Sequence, residues 1–147
     1  MQRYGIPVVI ALVIGLAFLG LRNFGGDDDP ELPIDLQPNA VTHSAESGLT
    51  VRILNNSSNG FEGDVRVQVV QANKSVTTSV RIEVLPFGLA EGVIAGEWQA
   101  GEGAPSISIL LDPQDALNDT NDENDSIVVT CPLPDAECQV KVQSADE

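Results

Sequence analysis

The most constraining feature of this chain is an apolar stretch near its start, residues 6–21, which reads IPVVIALVIGLAFLGL and contains no charged side chain. With Tyr4 before it and Phe24 after it, the segment has about 20 residues, enough for one helix across a hydrocarbon layer of about 30 Å. The sequence therefore predicts a single transmembrane anchor helix over residues 1–25. The rest of the chain must then fold outside the hydrocarbon layer.

A cleaved secretory signal peptide is the alternative interpretation of an N-terminal apolar stretch. Such a peptide ends in a small-x-small cleavage site, whereas this stretch ends in residues 18–22, FLGLR. The absence of that site favours an uncleaved anchor. Gly15 and Ala17 leave a narrow face on the predicted helix, which makes them the candidate contact for another membrane helix; a helix that only anchors the chain is the alternative.

The cysteines predict the orientation of the chain across the membrane better than the charges that flank the apolar stretch. Arg3 and Arg22 lie on opposite sides of the apolar stretch, so the positive-inside rule is nearly balanced. Cys131 and Cys138 enclose a short loop that a disulfide can close, and such a bond needs an oxidising compartment. We expect a single-pass protein of a bacterial or archaeal cytoplasmic membrane, with its N-terminus inside and its C-terminal domain periplasmic or extracellular.

The charge balance limits the classes of partner. The chain has 7 Lys and Arg residues against 22 Asp and Glu residues, a formal net charge of -15. Because such a chain repels phosphate backbones, nucleic acid is excluded as a partner. The expected partners are the membrane and other integral membrane protein subunits. His43 is the single histidine, and no pattern supplies it with a nucleophile and an orienting group, so we predict no catalytic residue and no enzyme.

Residues 26–47 differ from both the anchor and the domain that follows. Gly25 and Gly26 end the predicted helix, and an acidic segment with three prolines between residues 30 and 38 follows. Prolines keep such a segment extended. The sequence therefore predicts an acidic, proline-rich stalk that can add an edge strand to the domain.

From residue 48 onward the hydrophobic pattern has a period of two. Leu49, Val51 and Ile53, for example, alternate with less apolar residues. About seven short strands separated by turn residues predict an all-β fold, an immunoglobulin-like β-sandwich over residues 48–147 preceded by the single transmembrane helix. The predicted strands are residues 49–54, 65–69, 76–84, 97–99, 107–111, 127–130 and 140–142.

Two stretches resemble the CARDB family, the immunoglobulin-like "cell adhesion related domain found in bacteria". The segment LTVRILNN, its polar turn and GDVRVQVV, which end at Val70, resemble the opening of that domain. The segment ISILLDP, the Asn- and Asp-rich loop and IVV resemble its ending. The resemblance covers residues 49–130. The sequence departs from the CARDB pattern between residues 86 and 105 and at the two cysteines. It implies binding or scaffolding outside the cytoplasm, without catalytic residues.

The acidic loop between the last long strands offers oxygen ligands of the kind that Ca²⁺ prefers. The EF-hand spacing is absent, because Asn124 stands where that loop needs glycine and Thr130 where it needs glutamate. A solvated turn is the alternative, since Asn and Asp favour turns. No other cofactor is expected. The candidate calcium ligands are Asp112, Asp115, Asp119, Asn121, Asp122 and Asp125.

Trp98, the single tryptophan, is predicted to anchor either the core or an interface. Together these features predict an accessory or structural subunit of a larger membrane complex, such as a photosynthetic or respiratory complex. Two alternatives stay open. One is a subunit of a surface filament or pilus-like assembly, and the other is a calcium-dependent adhesion or glycan-binding module.

Overall fold

A computed structural model of the protein describes residues 32–141. The predicted anchor helix, with Gly15 and Ala17, lies outside the described residues, and so does Val142. Within residues 32–141, no helix has the length and apolar character that crossing a membrane requires.

The described residues form an all-β unit, as predicted, with two antiparallel sheets consistent with a β-sandwich. A single 3₁₀ turn, Asp122–Asn124, precedes the seventh strand. The strands are β1 (Leu36–Ser44), β2 (Gly48–Asn55), β3 (Phe61–Gln71), β4 (Lys74–Val84), β5 (Leu89–Ile94), β6 (Ile107–Leu111), β7 (Ser126–Thr130) and β8 (Gln139–Val140).

The chain passes repeatedly between the two sheets. The three-stranded sheet has the order β1-β2-β5, and the five-stranded sheet has the order β4-β3-β6-β7-β8. Every neighbouring pair is antiparallel. Strands β2 and β5, and likewise β3 and β6, are neighbours in space but not in sequence, so the crossings bring distant segments together.

The alternation of side chains explains why these strands pack as they do. Successive side chains of a strand point to opposite faces, so every second residue can reach one common core. In β3 the valines Val65, Val67 and Val69 are buried, whereas Arg66 and Gln68 point outward. Each buried valine or leucine contributes about 1.5–3 kcal/mol relative to an exposed one. The core therefore consists mainly of branched aliphatic side chains from both sheets.

The predicted strand over residues 97–99 is wrong. Those residues lie in an irregular connection between β5 and β6, and the strand lies earlier, at Leu89–Ile94. The apolar period is hidden there because a core position of β5 is occupied by Gly92, and Val80 of β4 fills the space that a side chain would take. Gly96, with a φ of +132°, then turns the chain away from the sheet.

The segment predicted as a stalk contains β1. Strand β1 pairs with β2 in the three-stranded sheet, and its register shifts between Pro38 and Ala40. Proline lacks the N–H that a ladder needs, so a shift at this position fits its chemistry. The side chains of Leu36 and Val41 lie in the hydrophobic core.

Candidate functional site

Asn55, the last residue of β2, is fully buried and joins two loops at one end of the sandwich. Its Nδ2 donates hydrogen bonds to the carbonyl oxygens of Asn59, at 2.7 Å, and Leu85, at 3.2 Å. Its Oδ1 accepts from the N–H and the hydroxyl of Ser57, at 3.1 and 2.6 Å. Its own N–H donates to the carbonyl of Gly88 at 2.9 Å. A buried amide with every group paired holds both loops in place.

The first described residues of the chain lie at this same end. The Nδ2 of Asn59 donates to the carbonyl of Pro33 at 2.8 Å, and the N–H of Phe87 donates to the carbonyl of Ser57 at 3.1 Å. These bonds join the segment before β1 to the β2–β3 loop and the β4–β5 turn. We call this surface the Asn55 end. It consists of residues 32–33, 56–60 and 85–88.

The Asn55 end exposes large apolar side chains. Leu85 is 73% exposed, Phe87 66% and Leu32 62%. Residues 54–61 and 84–90 contain no charged side chain, although the whole chain carries a net charge of -15. Clustered exposed apolar side chains with a polar rim are typical of a contact surface.

A second exposed apolar surface lies on β5, which is an edge strand of the three-stranded sheet within residues 32–141. Leu89 and Val93 are 55% and 56% exposed and point away from the core. Between them Glu91 forms an ion pair with Arg52 at 3.6 Å. Edge strands are the usual place where a sheet meets another protein, so we call these outward side chains the β5 face.

The acidic loop between β6 and β7 packs beside the segment that leads into β1. The N–H of Ile34 donates to the carbonyl of Asn118 at 3.1 Å, and the N–H of Thr120 donates to the carbonyl of Ile34 at 2.8 Å. Asp119 Oδ2 accepts from the N–H of Leu36 at 2.9 Å. The loop is therefore a structural extension of the sheet edge at this point.

Most of the buried carboxylates in this loop region already accept hydrogen bonds from protein groups. Asp35, which lies just before β1, accepts from Asn124 at 2.9 Å and from Asn56 at 3.2 Å. Asp112 Oδ2 accepts from the N–H of Leu117 at 2.7 Å. In residues 32–141, no group of three or more His, Cys, Asp or Glu side chains is arranged to hold a metal ion. The exposed candidate calcium ligands are Asp115, Asn121 and Asp122.

Asp125 is the exception, because it is buried and its Oδ1 has no hydrogen-bond partner among the described groups. Burial, the largest cause, and the nearby negative charges together raise the pKa of this carboxyl from 3.8 to about 7. The charges that contribute are, in decreasing order, those of Asp119, Asp122, Asp112 and Asp35. The side chain is consequently a proton-binding group close to neutral pH.

The raised pKa of Asp125 predicts that stability falls as pH rises. The folded state keeps a proton that the unfolded chain releases, so this contribution is complete below about pH 4 and is lost as the pH passes through about 7. The free energy of unfolding should fall by at most about 1.4 kcal/mol per pH unit in that range. Asp125→Asn should remove this slope and exceed the unchanged protein in stability above neutral pH. Urea unfolding across the range measures both, and a stability difference independent of pH would contradict the prediction.

His43 lies at the opposite end of β1 from the Asn55 end, and both of its ring nitrogens are engaged. Nε2 lies 2.9 Å from the carbonyl of Trp98, and Nδ1 lies 3.4 Å from the N–H of Asp135. A carbonyl only accepts and an N–H only donates, so the neutral ring with its proton on Nε2 satisfies both. The imidazole therefore holds two loops together.

Trp98 lies in the hydrophobic core although it belongs to no strand. The ammonium of Lys74 sits 4.2 Å from the centre of its ring, within cation–π range. Gln71 fixes Gln99, the residue after Trp98, because the side-chain Oε1 of Gln71 accepts a hydrogen bond from the N–H of Gln99 at 2.8 Å. These contacts hold the irregular connection that follows β5 against the sandwich.

Cys131 and Cys138 are joined in a disulfide. The loop that they close lies along the outer edge of β1, since the N–H of Cys138 donates to the carbonyl of Val41 at 2.8 Å. The N–H of His43 donates to the carbonyl of Ala136 at 2.9 Å. The disulfide loop therefore links the five-stranded sheet to the edge strand of the other sheet and covers that edge.

Comparisons with known proteins leave the family open. No protein-family model matches the chain, and neither a curated protein nor a solved structure matches it. Function is therefore inferred from the side chains and their surroundings alone.

Three residues that shape these surfaces are not among the candidates predicted from the sequence: Asn55, Asp35 and Phe87. Asn55 stands in a run of turn-forming residues, where its burial leaves no signature. Asp35 reads as part of an acidic stalk. Phe87 does carry a signal, because an aromatic residue between Pro86 and Gly88 is presented on a tight turn.

Proposed function

We propose that this protein is a non-enzymatic, single-pass membrane protein whose sandwich is a contact domain outside the cytoplasm. In this proposal it is an accessory or structural subunit of a larger membrane protein complex. The apolar stretch over residues 6–21 supplies the anchor. The observation that carries the contact role is the β5 face, where Leu89 and Val93 are more than half exposed on an edge strand. Binding of a partner that removes this apolar area from water lowers the free energy and so favours the complex.

The disulfide supports the location outside the cytoplasm. Disulfides persist in oxidising compartments and are rare in the cytosol. The bond between Cys131 and Cys138 closes a loop that lies along β1, so it belongs to the packed structure of the domain. His43 supports the non-enzymatic role, because both ring nitrogens are committed to backbone groups.

An immunoglobulin-like sandwich of the CARDB type is the finer part of this proposal. The neighbours β1-β2-β5 and β3-β6-β7 match the A-B-E and C-F-G neighbours of immunoglobulin domains. Strand β4 differs from the constant-type arrangement, because it pairs with β3 instead of joining the sheet of β5. The order of the other strands supports the immunoglobulin-like part of the proposal.

The test is extraction of the full-length protein from its native membrane in mild detergent, followed by native gel electrophoresis and mass spectrometry. We expect the protein to migrate with other integral membrane subunits. Val93→Glu should release it from them, because a charge on the β5 face must be desolvated on contact. Leu133→Glu is the matched control, since Leu133 is 63% exposed on the disulfide loop.

Three outcomes would contradict the proposal. A lone monomer after gentle extraction would remove the accessory-subunit role. Long self-assembled fibres would favour the filament alternative. Equal release by Val93→Glu and Leu133→Glu would show that the β5 face is not the contact surface.

A further inference from the structure

The β4–β5 turn presents its phenylalanine outward on a fixed backbone. Phe87 has a φ of 54°, in the left-handed region that bulky residues rarely adopt. The turn is held by the bond from Gly88 N–H to the Leu85 carbonyl at 2.9 Å and by the bond from Phe87 N–H to Ser57. The backbone is thus strained and yet leaves the ring 66% exposed.

The loop beside Phe87 is polar but uncharged. The β2–β3 loop beside it, residues 56–60, reads NSSNG, and the Nδ2 of its fourth residue, Asn59, donates a hydrogen bond to the carbonyl of Pro33. Leu85 adds a second exposed apolar side chain at 73%. Apolar side chains backed by uncharged polar groups suit the boundary between lipid headgroups and acyl chains.

The short segment between the apolar stretch and the Asn55 end indicates what can cover this surface. Pro33 is held at the Asn55 end, and ten residues, 22–31, separate Leu32 from the apolar stretch. Ten extended residues span at most about 33–36 Å. A membrane anchored through residues 6–21 therefore lies within reach of this end of the sandwich.

We propose that the Asn55 end rests on the outer surface of the bilayer, with the side chains of Leu85 and Phe87 inserted between lipid headgroups. This inference rests on the proposed membrane anchoring and deepens it. The lipid is zwitterionic, because the neighbouring acidic loop and a net charge of -15 repel an anionic surface. The β5 face then stays free for protein subunits.

The experiment reconstitutes the full-length protein into phosphatidylcholine vesicles and measures fluorescence quenching by brominated acyl chains. A tryptophan is introduced by Phe87→Trp in one protein and by Leu85→Trp in a second. Leu133→Trp is the matched control, because Leu133 is similarly exposed on the disulfide loop beside the far end of β1. Trp98 is common to all and is buried, so it sets the background.

We expect several-fold stronger quenching for Phe87→Trp and Leu85→Trp than for Leu133→Trp. Flotation of the vesicles reports the anchoring separately. Protein that floats without preferential quenching would overturn the lipid contact and leave the proposed function intact, whereas protein that does not float would overturn the anchoring itself. If the tryptophan introduced by Phe87→Trp is shielded from water in native membranes but not in vesicles of pure lipid, a protein partner covers this end and the lipid contact is overturned.

Discussion

Gly48→Ala should destabilise the sandwich strongly, although it adds only one methyl group. Gly48 begins β2 with a φ of +101°, which disfavours any side chain. A Cβ there would overlap the carbonyl oxygen of Ile94 and lie 3.2 Å from the Cα of Ala95. Both obstacles are backbone atoms at the end of β5, so neither can rotate away. We expect a loss of about 3–4 kcal/mol, measured by urea unfolding with Trp98 fluorescence as the probe.

Gly101→Ala separates the two causes of that loss. Gly101 has a φ of +127°, yet a Cβ built on it meets no atom within 4 Å. It therefore carries the conformational cost alone, about 1 kcal/mol. If Gly48→Ala and Gly101→Ala cost the same, steric overlap with β5 is not what fixes Gly48.

The contrast between β3 and β5 shows what the sequence can predict of this fold. In β3 the three buried positions before Gln71 carry valines, so the period of two is visible and the strand is predicted, although it extends beyond residues 65–69 to Phe61–Gln71. In β5 the core space beside Gly92 is filled by the side chain of Val80, which belongs to β4. Because the side chain that fills this core position comes from the other sheet, β5 itself has no apolar residue at that position. Pattern alone therefore misplaces that strand at Trp98.

The candidate sites differ in the same way. The cysteine pair can be proposed from sequence because its members are close along the chain and their chemistry is specific. The environment of Asp125 cannot, since Asp35 reaches that cluster from a segment about 90 residues away. Only the paired segments beside β1 bring these carboxylates together. A sequence pattern shows the number of acidic residues in a loop, but it does not show which of them is buried without a partner.

Asn55→Asp should destabilise the sandwich strongly at neutral pH, although it changes few atoms. The introduced carboxylate would face the carbonyl oxygens of Asn59 and Leu85, to which Asn55 now donates. Both acceptors would lose their donor, and a charge would be buried beside them. We expect a loss of about 3 kcal/mol at neutral pH. In acid the protonated carboxyl can donate one hydrogen bond, so part of the loss should be recovered.

Ser58→Asp is the matched control for the added charge, because Ser58 is exposed in the loop that Asn55 holds. It should change stability by less than about 0.5 kcal/mol. Hydrogen exchange gives the local result: Asn55→Asp should expose the amides of Ser57 and Phe87, and Ser58→Asp should not. Equal effects of the two variants would mean that charge alone disturbs the Asn55 end. A loss confined to Asn55→Asp, and relieved in acid, would identify the buried carboxylate that replaces the amide donor as the cause. The exposed turn that carries Phe87 would then depend on a single buried side chain for its position.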